Sequence, residues 1–157
     1  MLPSKFFSNL IDNAISEIRK ASIPVFTFAL YHDHESGAVS VCADTEDNSN
    51  QVVQSINRYN MKYFMSAIQT GDLKAASLWQ ANIGRSLSLG DFSLVNVARS
   101  PLGTMEVNDC FYVEMVQALV AKQHEIAKLT PTPERLVLAC SGANDEVAYV
   151  WSLLPVQ

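Results

Sequence analysis

Apolar residues recur at helical spacing from the start of the chain. Phe6, Phe7, Leu10, Ile11, Ala14, Ile15 and Ile18 share one side, leaving Asp12, Glu17 and Arg19 for water. This predicts an amphipathic helix to about Ala21, with Ser4 as its cap. Beyond Pro24, Val25 to Asp33 is dense in β-branched and aromatic residues and reads as a buried strand. His34-Glu35-Ser36-Gly37 supplies a turn, and Ala38 to Ala43 returns as a second strand. If Asp33 pairs with Ala38, then Phe28, Leu30, His32, Val39, Val41 and Ala43 share one face of the hairpin, and Ala29, Tyr31, Ser40 and Cys42 the other.

Asp44 to Asn48 offers caps and first-turn acids for a helix to about Gln69, along which Val52, Val53, Ile56, Tyr59, Tyr63, Phe64 and Ala67 form a stripe. Met61, Met65 and Ile68 fall roughly opposite Val52, Ile56 and Tyr63, so this helix is apolar on two sides. Either the chain itself covers both, for instance with the segment around Trp79, or one is a partner-binding face, a use that suits methionine because it repacks easily. Thr70-Gly71-Asp72 breaks the helix, and Leu73 to Trp79 reads as a shorter one before a stretch without clear period through Gly90.

Ser93 to Ala98 reads as a strand, ended by Ser100-Pro101-Leu102-Gly103. Asn108 or Asp109 can cap a helix through Lys128 whose apolar face carries Tyr112, Met115, Val116, Leu119, Val120, Ile126 and Ala127. Thr130-Pro131-Thr132-Pro133 stops it. Leu136 to Cys140 and Val147 to Leu154 read as strands joined by a hairpin loop at Ser141 to Glu146. The predicted order is αββα(α)βαββ. The expectation is an α+β fold, a mainly antiparallel sheet with packed helices, in one globular domain over residues 1–157.

At 157 residues the chain can bury a sizeable core without a staple, and its 48% hydrophobic and 17% charged residues argue against disorder. With 11 basic against 16 acidic residues the net charge is −5, which repels phosphate backbones and attracts basic proteins, so no direct nucleic-acid partner is expected. Three widely spaced cysteines, Cys42, Cys110 and Cys140, suit a reducing compartment. The N-terminal stretch turns polar by Asn9, too soon for a signal peptide or membrane span, so the expected location is the cytoplasm, without membrane association.

No sequence pattern names a reaction. His32-x-His34-Glu35 can place two imidazoles on one side of a strand, but no second cluster completes a metal-ligand set, and neither metal nor cofactor is expected. Cys42 and His32 fall on opposite hairpin faces, and Cys110 lies about 21 Å along a helix from His124, so no thiol reaches an imidazole. The glycines at 84 and 90 lack phosphate-loop spacing.

Val25-Phe26-Thr27-Phe28-Ala29-Leu30-Tyr31, the short turn, Val39-Ser40-Val41-Cys42-Ala43 and then Asp44-Thr45-Glu46 resemble the opening of family 4303 of bacterial domains of unknown function. In that family an N-terminal helix precedes a similar aromatic strand, and a second strand runs into a helix start where Asn is commoner than this chain's Asp44. The resemblance covers residues 1 to about 70. It implies an immunity protein, not an enzyme, that binds and neutralises a cognate toxin exchanged between competing bacteria by covering the toxin's active site or substrate channel. A toxin nuclease with a basic channel would meet acidic groups in the place of phosphates. Tyr59, Met61 and Met65 are the candidate anchors of an apolar centre, and Asp44, Glu46 and Asp47 the candidate steering charges of an acidic rim. The alternative is a small enzyme or ligand-binding domain with a cleft near Tyr31 and His32.

Overall fold

A computed structural model describes residues 2–153, so the last position of the strand expected to reach Leu154 lies outside it. The first helix, α1 (Pro3–Ala21), begins one residue before the expected cap. Pro3 occupies its first turn, where a fixed φ and a missing N–H cost nothing, and Ser4 is inside the helix rather than capping it. The strands β1 (Thr27–Asp33) and β2 (Ala38–Asp44) form the expected hairpin. Its register pairs Asp33 with Ala38 and Phe28 with Ala43, as the alternation of side chains requires. Gly37 closes the turn at φ +62°, a left-handed conformation that suits glycine.

After α2 (Glu46–Gln69) and the short α3 (Leu73–Ala76), a 3₁₀ turn covers Ser77–Trp79. The third strand, β3 (Leu94–Pro101), runs past the expected end at Ala98 because it is an edge strand, where proline is tolerated. Asn108 caps α4 (Asp109–Ala127), its side chain accepting from the Phe111 N–H at 3.1 Å. The chain then completes β4 (Val137–Cys140) and β5 (Tyr149–Ser152).

The five strands lie in the order β3-β2-β1-β4-β5, and every pairing is antiparallel except β1 with β4. The fold is α+β. No helix among the described residues is long and apolar enough to cross a membrane.

The chain divides into two compact units, one made of the residues up to Glu46 with those from Leu89 onward, the other of Asp47–Ser88. In the first, α1 and α4 cover one sheet face. Phe7, Ile11 and Ile18 of α1 and Phe111, Met115, Leu119 and Ile126 of α4 meet Phe28, Leu30, Val39, Val41 and Leu138, all essentially inaccessible to water. The other face carries Ala29, Cys42 and Ala139 under Leu89 and Phe92, the first opening and the second just following a 3₁₀ turn at Leu89–Asp91. Both faces of the central strands are therefore dry, which explains why β2 is buried at every position.

Candidate binding surfaces

In the Asp47–Ser88 unit, the best covered line of α2 is Val53, Asn57, Asn60, Phe64 and Ala67, at successive helical steps. Two of these are asparagines, and they hold an extended segment. Asn57 Nδ2 donates to the Asn82 carbonyl at 3.0 Å while the Asn82 N–H donates to Asn57 Oδ1 at 2.9 Å, and Asn60 Nδ2 donates to the Gln80 carbonyl at 3.3 Å. Trp79 stacks on Tyr63 with ring centroids 4.6 Å apart. Val53, Phe64 and Ala67 of the first anticipated stripe thus lie in the covered line with the two asparagines, while Ile56, Tyr59 and Tyr63 to one side and Met61, Met65 and Ile68 to the other are exposed.

Tyr59 is 53% exposed, Met61 59% and Met65 46%, while Ile83 is fully exposed. Met61, Phe64, Trp79 and Ile83 line a cleft of about 490 Å³. The charges beside the methionine flank are Arg58 and Lys62, and bases outnumber acids in this unit, Arg58, Lys62, Lys74 and Arg85 against Asp47 and Asp72. Asp47 lies about 18 Å along the helix from Tyr59 at 1.5 Å per residue. Tyr59, Met61 and Met65 are exposed, but the charges nearest them are basic instead of acidic.

The candidate acids separate. Asp44 is 1% exposed at the end of β2, and its Oδ1 accepts from the Thr45 N–H at 3.0 Å and from both the N–H and the hydroxyl of Ser93 at 3.1 Å. It is an organiser of the exit from β2, not a surface charge, because the strand continues one residue further than its pattern predicts. Glu46 is partly buried and pairs with Arg135. Asp47 is exposed.

Tyr31 and His32 do not share a cleft. As neighbours on a strand they point to opposite faces, Tyr31 beside Ala29 and Cys42, His32 beside Phe28 and Leu30. His32 Nδ1 lies 3.0 Å from the Tyr112 hydroxyl, and its ring sits 5.2 Å from Phe111 and 4.1 Å from His34. Burial, then the neighbouring His34, lowers its pKa and favours the neutral imidazole. Burial raises the Tyr31 pKa, helped by Asp33, Glu146 and Glu35. Asp33 and Glu35 lie near Tyr31 along β1 and its turn, and Glu146 joins them because β1 and β4 run parallel and end side by side.

At the same end, the Ser36 hydroxyl and the Arg99 guanidinium hold Asp33 down to about 2. Among the described residues no group of three or more His, Cys, Asp or Glu could hold a metal ion. Burial raises the Cys42 thiol and pushes Cys140 up to about 12, keeping both protonated and poorly nucleophilic, whereas Cys110 is exposed.

One concavity has no counterpart in the sequence reading. Between α4 and β5, Tyr112, Val113, Val116 and Tyr149 form an apolar groove of about 400 Å³ with Asp109 and Gln117 at its polar points. Val113 falls outside the α4 stripe that faces the core, and a lone off-stripe valine is too common on helices to have signalled it. No family model, curated protein or solved structure matches the chain.

Proposed function

We propose that this chain is a binding protein whose Asp47–Ser88 unit docks on a protein partner. Following the resemblance to family 4303, that partner is a cognate toxin effector, blocked at its active site or substrate channel in the cytoplasm of the producing cell. The observation that supports docking is the concentration of exposed large apolar side chains on α2 and the segment after it, Tyr59, Met61, Met65, Leu73, Leu78 and Ile83 foremost. Large exposed apolar surface marks interaction sites, and aromatic and methionine side chains are enriched in interface cores.

The basic residues at the rim shape the partner. Arg58 and Lys62 favour a contact surface carrying acids around an apolar centre, so at this face a basic nuclease channel is the poorer match, and a toxin of another activity, or an acidic surface outside such a channel, is the better one. Buried anchors would set the residence time and the rim charges the encounter rate.

Affinity capture from the native host, followed by binding kinetics with the co-eluting protein, tests the reading. Met61→Ala and Met65→Ala should accelerate dissociation. Arg58→Glu with Lys62→Glu should slow association at low salt. If no protein partner is captured, the immunity reading fails; if a partner binds but none of these variants alters either rate, α2 is not its docking face.

A further inference from the structure

The two edges of the sheet are protected very differently. On β3, Asn96 takes a left-handed φ of +55° at a register irregularity opposite β2, Arg99 projects a charge, and Pro101 removes a donor. A bulge, a charge and a proline are the usual guards of an exposed edge against stray pairing. On β5 there are none. Tyr149-Val150-Trp151-Ser152 holds an unbroken register with β4, contains no lysine, arginine or proline, and pairs with no other strand among the described residues. Tyr149 and Val150 are 49% and 47% exposed.

The unguarded edge borders the α4 groove, since Tyr149 belongs to both. An edge strand beside a helix, with an apolar groove between them, has the geometry that accepts an added strand. Backbone groups of the incoming segment pair along the edge, and every second side chain, roughly 6.6–6.8 Å apart, enters the groove. Val113, Val116 and Tyr149 would receive an aliphatic side chain, and the volume suits only one or two.

Charge selects further. None of the groove's lining residues is basic, Asp109 lies within it, and the β4–β5 connection that contributes Ala143 also carries the exposed Asp145. We infer that this groove binds an extended segment of a partner protein, carrying alternate aliphatic residues flanked by lysine or arginine, as a sixth strand on β5. The inference does not rest on the toxin reading, because it concerns the other unit and a different surface.

The test uses the full chain and a short fluorescein-labelled probe, Ser-Lys-Val-Thr-Val-Lys-Val-Ser, followed by fluorescence anisotropy. Saturable binding is expected, weakened by salt, and at least about tenfold weaker when glutamate replaces lysine in the probe. N-methylating one alternate set of probe amides should abolish binding while the other set tolerates it, a pattern that side-chain attraction alone would not give. Val113→Glu, at a 54% exposed position, should weaken binding about tenfold or more without changing thermal unfolding. Three results would each overturn the proposal: no saturable binding, equal binding of both N-methylated probes, or an unaffected Val113→Glu variant. Concentration-dependent dimerisation abolished by Val113→Glu would assign the edge to a second copy of this chain instead.

Discussion

The sheet unit and the Asp47–Ser88 unit are both rich in large apolar side chains and dispose of them in opposite ways. Around the sheet, Phe7, Phe28, Leu30, Phe111, Leu119 and Leu138 are inaccessible. In Asp47–Ser88 the buried residues are Ser49, Ala67, Ala76 and Ser86, none of them large, while tyrosines, methionines and isoleucines stay open. The difference follows from layers. A sheet offers a broad face that two helices can close over, whereas one helix with a strip of extended chain along its seam has nothing wide enough to hide two apolar flanks. Apolar content alone therefore does not say where a core lies; it must be matched by a surface able to cover it.

Substitution separates the two regimes most sharply at Phe28. Phe28→Ala should cost about 3–5 kcal/mol in chemical denaturation, and near-parental stability would show that the sheet core is not what holds the unit together. Gly142→Ala should come next, at about 1–3 kcal/mol, because a Cβ there would sit 2.6 Å from the Ala148 Cβ and force the β4–β5 connection to shift. An unchanged midpoint would mean that this connection yields easily.

A milder effect is expected in acid. The folded Asp33 carboxyl, at about 2, lies below its ordinary value near 4, so its contribution is present above about pH 4 and is lost as pH falls toward 2. Asp33→Asn should remove that contribution, lowering stability near neutrality by the amount the parent otherwise loses in acid, and so flatten the stability profile between about pH 4 and 2. The smallest change belongs to the open flank. Met61→Ala and Met65→Ala should each shift stability by no more than about 0.5 kcal/mol, since nothing closes over them. A loss of several times that would place these methionines in a core and erase the contrast.

Local pattern made much of this legible. The Asp33–Ala38 register, the two hairpin faces, the buried stripe of α1 and the end of α2 at Gln69 all follow from side-chain periodicity and short turns. What escaped depends on distant parts of the chain. The β1–β4 pairing joins segments that carry no local mark of each other, and it is what brings Glu146 to Tyr31, beside Asp33 and Glu35. Asp44 looks like a solvated helix cap until Ser93 arrives to bond it. Asn57 and Asn60 look like water-facing residues because hydropathy does not register that an amide can stand in for a strand.

The parallel pairing also has a consequence in time. Ser141 fastens to the His32 N–H across 109 positions of sequence. At roughly 5–20 residues per second of synthesis, the hairpin waits on the order of 5–20 s on the ribosome with one side of its most apolar strand unmet. During that interval one edge of Thr27–Asp33 lacks its strand partner, which leaves its backbone groups open to stray pairing. A chaperone that shields extended apolar segments should therefore govern the yield of folded protein more than its final stability does.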